Sequence, residues 1–193
     1  VTNKPQWSSR IVFMGDSITE SWPEFMPNLF SSRGWLVRGR AGDTTNRMLQ
    51  RFAVDVLQSS PTGVHILAGI NDLAENDGPI TVEAIQSNIE AMIELSLSCG
   101  ILVVIGTILP CERIPWRPEL IVKTKIEELN GWIRNLPFRN QNVVCVDYYS
   151  LLVTSGCEKL SGLSDDGLHL NRSGYSMISH FLLNFVDKKQ IEC

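Results

Sequence analysis

The stretch Ile11-Val12-Phe13-Met14-Gly15-Asp16-Ser17-Ile18-Thr19 runs from a continuous apolar segment into a glycine and a short polar turn. An apolar run bounded by turn residues reads as a strand covered on both faces. Similar runs recur, and strands are expected from Arg10 to Met14, Trp35 to Arg38, Val64 to Ala68, Leu102 to Ile108 and Val143 to Val146. Between them, Met48, Leu49, Phe52, Val56 and Leu57 follow helical spacing, as do Ile85, Ile89, Met92, Ile93 and Leu97, then Ile126, Leu129 and Ile133. A last helix is expected from about Ser173, with that residue as its cap and Tyr175, Ile178, Phe181, Leu182 and Phe185 facing inward. Strands alternating with helix-length segments indicate an α/β chain: a three-layer α/β/α sandwich around a five-stranded parallel sheet. One domain is expected over residues 1–193.

The 193 residues fit a single domain with a substantial core, and 44% hydrophobic and 20% charged content is ordinary for a globular protein. A formal charge of −4 offers a polyanion no attraction, so no nucleic-acid partner is expected. The aliphatic run around Ile101 to Ile105 is far too short for a membrane span. Cys99, Cys111, Cys145, Cys157 and Cys193 are odd in number and form no C-x-x-C pair, so neither a disulfide framework nor a zinc cluster is expected. A reducing, cytoplasmic setting is favoured. The first residues, Val-Thr-Asn-Lys-Pro-Gln-Trp, lack a signal-peptide core, and secretion after signal cleavage stays open. A homodimer also stays open.

In open parallel sheets, ligands bind beyond the carboxyl ends of the strands. Ser17 follows the first expected strand, Gly42 the second and Asn71 the third, while Asp166 and His169 lie beyond the fifth. A serine hydroxyl becomes a nucleophile when an imidazole accepts its proton, and a carboxylate fixes that imidazole's tautomer. The chain has three histidines; His65 falls in a strand and His180 in a helix pattern, where packing or surface roles are expected. Each residue has a plainer reading: Ser17 as a helix cap, Asn71 as a turn residue, Gly42 as a loop glycine. Asp16 and Asp72 are expected to hold local turns, and Asp165 competes with Asp166 as the histidine's partner.

Gly15-Asp16-Ser17-Ile18-Thr19, Arg40-Ala41-Gly42-Asp43-Thr44-Thr45, Gly69-Ile70-Asn71-Asp72 and Asp166-Gly167-Leu168-His169 occur in the order found in the SGNH (GDSL-type) hydrolases, which this chain resembles. The resemblance implies a flavodoxin-like fold and carboxylic ester hydrolysis through an acyl-enzyme, with no metal or organic cofactor. It implies Ser17 as nucleophile, His169 as base and Asp166 as its orienter. The oxyanion donors it implies are the backbone N–H groups of Ser17 and Gly42 and the side-chain amide of Asn71. The chain departs from the pattern at Val37-Arg38-Gly39 and Arg40-Ala41, and in carrying Ile18 where leucine is usual.

The expected substrate is a small, short-acyl ester, acetyl-type, of a carbohydrate or aryl alcohol. A thioesterase or lysophospholipase is the alternative enzyme, and a catalytically silent binding module on the same fold is the alternative from another class. A nucleophile elbow, G-x-S-x-G, is absent from the sequence. Trp22, Arg40, Trp116 and Arg117 sit in loops beyond strand ends and are expected to line the substrate pocket, with loop anchoring as the competing role.

Overall fold

Strand β1 (Ile11–Gly15) lies at the inner part of a parallel sheet, between β2 (Leu36–Gly39) on one side and β3 (Gly63–Leu67) on the other. β4 (Leu102–Gly106) pairs with β3, and β7 (Val143–Val146) closes the sheet beyond it. The order β2-β1-β3-β4-β7 is the flavodoxin-like one, with the strand order reversing beside β1. This computed structural model describes residues 10–154 and 160–191. Cys157, Cys193 and the first nine residues lie outside the described ones.

Every residue of β1, β3 and β4 is buried, as strands with helices on both faces require. On one face, α1 (Ser17–Phe25) packs against α8 (Arg172–Ile191). On the other, α3 (Thr45–Asp55) packs on α5 (Val82–Ser98), which meets α6 (Lys123–Arg139). The stripe Ile85, Ile89, Met92 and Ile93 buries the inner side of α5, and Ile126, Leu129 and Ile133 bury that of α6. Shorter helices α2 (Pro27–Arg33), α4 (Ile70–Leu73) and α7 (Tyr148–Thr154) complete the layers.

Three local expectations are corrected. β4 ends at Gly106, because Asn130 takes both polar groups of Ile108: its N–H at 2.8 Å and its carbonyl at 2.9 Å. α8 begins at Arg172 and is capped by Asn171, whose Oδ1 accepts from Ser173 N at 3.0 Å and Gly174 N at 3.2 Å. After β4 the chain forms a small antiparallel hairpin, β5 (Arg113–Ile114) and β6 (Arg117–Ile121), with Trp116 at its turn. Among the described residues, no helix is long and apolar enough to cross a membrane.

Candidate active site

Gly15 ends β1 where the chain must bend sharply into α1. A Cβ there would stand 2.1 Å from Thr19 Oγ1 and 2.8 Å from the Leu67 carbonyl. Asp16 then caps α1, accepting the Ile18 N–H at 2.9 Å. Ser17 is therefore the first helical residue, where a backbone N–H has no acceptor within the helix and the helix end carries partial positive charge.

From the far end of the chain, His169 brings Nε2 to within 3.0 Å of Ser17 Oγ, and its Nδ1 lies 2.6 Å from Asp166 Oδ2. Asp166 is itself held: its Oδ1 accepts from the backbone N–H of Leu168 at 2.9 Å and of His169 at 2.7 Å, and from Ser164 Oγ at 3.1 Å. Partial burial pushes the Asp166 carboxyl up, but the His169 ring and the two backbone N–H groups outweigh it and bring its pKa down to about 2. Leu168 and Leu170 are buried on either side of His169 and anchor this loop. The carboxylate meeting the imidazole belongs to Asp166, not to the competing Asp165.

Opposite His169, the loop after β2 carries Gly42 with φ +78°, a left-handed conformation that glycine adopts without strain. Arg40 N donates to the Gly15 carbonyl at 3.1 Å, and Ala41 N donates to Glu20 Oε2 at 3.1 Å, so the loop is tied to β1 and α1. Asn71 lies buried in α4. Its Nδ2 donates to the Asp43 carbonyl at 3.1 Å, and its Oδ1 accepts from Asn76 Nδ2 at 2.8 Å. A carboxamide nitrogen has two hydrogens, so one donor remains after the bond to Asp43. Asp72 does not hold its own turn as expected. Its carboxylate accepts from Thr45 N at 2.8 Å and Thr45 Oγ1 at 2.6 Å, across to the start of α3, and burial raises its pKa.

The four expected pocket residues separate. Trp22 is fully buried at 0% exposure, edge-on to Phe13 and Phe30, with its indole N–H on Ser179 Oγ at 2.7 Å; it belongs to the core, and the pocket assignment is withdrawn. Arg40 points to Asp55, Nη2 to Oδ2 3.1 Å, and anchors the loop. Arg117 donates from Nη1 to the carbonyls of Ala74 at 3.2 Å and Glu75 at 3.3 Å, tying the hairpin to the turn after α4. Trp116 alone of the four lies against the triad: its ring faces that of His169 with centroids 6.3 Å apart and planes 28° apart, and it is 45% exposed.

Two residues absent from the sequence-level site join it here. Asn76 bonds both Asn71 and Trp116, the latter from Nε1 to Asn76 Oδ1 at 3.3 Å. Arg51 reaches the Gly15 and Arg38 carbonyls and the Asp43 carboxylate, bracing the Gly42 loop from below. Neither stands in a recognisable motif. Among the described residues, no group of three or more His, Cys, Asp or Glu side chains is placed to hold a metal ion.

The model of the GDSL-like lipase/acylhydrolase family matches residues 13–177. The chain belongs to that family. Its structure superposes on a GDSL-like lipase from Bacteroides thetaiotaomicron with a TM-score of 0.89 and 33% identity, over 98% of this chain and 93% of that one. A putative acylhydrolase from Bacteroides fragilis gives a TM-score of 0.89 and 34% identity over 98% and 89% of the two chains. An acetyl xylan esterase, AlAXEase, at 21% identity and a TM-score of 0.75 over 92% and 99%, shares the fold. No protein in the curated set matches the sequence. Membership makes this GDSL-like chain a hydrolase of the esterase or lipase type.

Proposed function

We propose that this GDSL-like chain hydrolyses short-acyl carboxylic esters through an acyl-enzyme on Ser17. The observation that carries the reading is the continuous contact from Ser17 Oγ to His169 Nε2 at 3.0 Å and from His169 Nδ1 to Asp166 at 2.6 Å. His169 Nε2 takes the hydroxyl proton as Ser17 Oγ attacks the ester carbonyl. The resulting oxyanion receives hydrogen bonds from the N–H groups of Ser17 and Gly42 and from the spare N–H of Asn71. Collapse expels the alcohol, which takes its proton from the imidazolium, leaving the acyl group on Ser17. A water then gives a proton to His169, attacks the acyl carbon and releases the carboxylic acid, and the proton returns to Ser17. Asp166, ionised far below neutral pH, fixes the tautomer and stabilises the imidazolium without taking its proton.

The space at the turn that carries Ser17 supports a short acyl group, since its neighbours Asp16 and Ile18 line a small hollow. This mostly apolar hollow, lined by Ile18, Leu67, Ile70, Ile108 and Leu109 with the buried Asp16 also in its wall, has a volume of only about 10 Å³, near the size that holds one water, which suits a methyl group better than a chain. Past Gly42 along the same loop, Thr44 and Asn46 line a cleft of about 290 Å³ with Asp77, Ile80 and Asn88, a mixed wall whose polar groups can also hydrogen-bond hydroxyls. This supports a polyol leaving group, and the exposed ring of Trp116 offers a face to a sugar or aryl alcohol.

A p-nitrophenyl ester series from acetate to long chains, assayed with wild type and Ser17→Ala, tests the reading. Turnover that needs Ser17 and peaks at acetate or propionate is expected. An optimum at long chains, or a preference for acyl thioesters, would replace it with the lysophospholipase or thioesterase reading. Absence of turnover, together with no mass adduct at Ser17 after a serine-directed phosphonate, would make the chain a binding module.

A further inference from the structure

We propose that Asn76 and Trp116 set the orientation of the Asn71 carboxamide, so that the hairpin β5–β6 positions the oxyanion donor; this rests on Ser17 chemistry as proposed above.

The oxygen and nitrogen ends of a carboxamide are nearly the same size, and only hydrogen-bond partners decide which way the group points. An indole N–H can only donate, so the Asn76 atom that meets Trp116 Nε1 at 3.3 Å is the carbonyl oxygen. Asn76 Nδ2 is thereby turned toward Asn71 Oδ1 at 2.8 Å, with the Gly42 carbonyl at 3.5 Å on the same side. With its oxygen engaged, Asn71 must turn its nitrogen to the Asp43 carbonyl at 3.1 Å and leave its second hydrogen for the substrate. The opposite flip would set Asn71 oxygen against the Asp43 carbonyl and its nitrogen against that of Asn76, two repulsive contacts in a buried place. Orientation thus passes from a donor-only indole, through one amide, to the amide that faces the oxyanion.

The hairpin supplies the other restraints as well. Arg117, next to Trp116, grips the Ala74 and Glu75 carbonyls, fixing the turn that carries Asn76. Trp116 also lies against His169, so one hairpin touches both the base and the oxyanion side of the site. Asn76 and Trp116 are positioning residues, acting through Asn71 and His169.

Steady-state kinetics on p-nitrophenyl acetate with Asn76→Asp, Asn76→Ala, Trp116→Phe and Ser17→Ala separate orientation from packing. Asn76→Asp keeps the shape and still accepts from Trp116, but it presents an acceptor to Asn71 and draws its nitrogen away from the substrate. We expect kcat to fall about 100-fold in Asn76→Asp and about 10-fold in Asn76→Ala, with KM within about threefold of wild type, because the oxyanion contact is made in the transition state. Trp116→Phe keeps a ring on His169 and loses the N–H. It should lower kcat in the wild-type background and add nothing to Asn76→Ala. A mere packing role gives the reverse order, with the isosteric Asp the milder change. Asn76→Asp as active as Asn76→Ala, or losses carried by KM, would overturn the inference while Ser17→Ala remains inactive. If Asn76→Asp does not fold, full additivity of Trp116→Phe and Asn76→Ala overturns it instead. Wild-type turnover in Ser17→Ala would remove the reading beneath it.

Discussion

Arg51 and Asp43 form a nearly buried ion pair, Nε to Oδ2 2.7 Å, with side chains 10% and 11% exposed. The same guanidinium donates to Asp55 Oδ2 at 2.7 Å and to the carbonyls of Arg38 at 2.8 Å and Gly15 at 3.1 Å. One planar cation therefore joins the carboxyl ends of β1 and β2 to the loop that presents Gly42. Removing it leaves Asp43 without its counter-charge and Asp55 with Arg40 alone, and breaking a nearly buried pair in this way typically costs about 3 to 5 kcal/mol. Arg51→Ala is expected to lose that much stability in urea unfolding, and Arg51→Lys a smaller part because a point charge cannot reproduce the fork. A loss under about 1 kcal/mol for Arg51→Ala, the range of an exposed pair, would show that the network is solvated.

Asp16 holds its capping bond in the dry interior, and burial raises its pKa from 3.8 to about 7, although the Ile18 N–H and the neighbouring His169 pull it down. The folded state thus binds a proton between about pH 4 and 7 that the unfolded chain has released. The stabilisation is complete below 3.8 and drains away as pH rises through about 7. Asn caps a helix as well as Asp and never ionises. In Asp16→Asn, the gain in unfolding free energy over wild type should grow from pH 5 to pH 8 by an amount on the order of a few kcal/mol, seen as a melting-temperature difference that widens with pH. Parallel melting curves across that range would mean that Asp16 is ionised in the native state throughout.

His65 shows the opposite linkage. Its ring lies in β3 stacked on Phe13, with Nε2 2.9 Å from Tyr148 Oη, and burial lowers its pKa from 6.5 to about 3. The unfolded chain takes up a proton below about pH 6.5 that the native state refuses, so this group contributes stability above 6.5 and loses it as pH falls toward 3. Its ring resonances in the native protein should stay fixed from pH 8 to 4.5. A titration midpoint between 5.5 and 7 would place the ring in contact with water.

The inner strands β1, β3 and β4 are legible because parallel strands buried on both faces appear as unbroken apolar runs, whereas the half-buried edge strand β2 offers only the short run before Arg38; the order of the strands then carries Ser17, Gly42 and Asn71 to one rim. The hairpin was not legible, since Arg113-Ile114-Pro115-Trp116-Arg117-Pro118 is short, polar and interrupted by prolines. Trp22 stands near a strand end in the sequence, yet its side chain belongs to the core. The spacing of Ile18 and Trp22, four residues apart on α1, was the available sign that both face the core. Asn76 and Arg51 have near partners in Asn71 and Asp55, but the bonds that tie them to the site, to Trp116 and to Gly15, span far along the chain and leave no local pattern.

Asp166 offers the sharpest dissection of the proposed triad, since its two oxygens do different work. Oδ1 accepts the loop N–H groups, while Oδ2 meets His169 Nδ1. In Asp166→Asn the oxygen keeps the loop bonds and an NH2 replaces Oδ2, so the imidazole must accept at Nδ1 and carry its hydrogen on Nε2, facing Ser17. A ring in that tautomer cannot take the serine proton. Asp166→Asn should therefore lower kcat by roughly 10,000-fold with the fold intact. Asp166→Ala frees the ring to pair with water and choose either tautomer, and should retain more activity than Asn. Because the carboxyl titrates near 2, Asp166 should add no acidic limb to a kcat/KM profile measured from pH 4 upward. Asp166→Asn more active than Asp166→Ala would refute the tautomer argument and leave Asp166 with the loop alone.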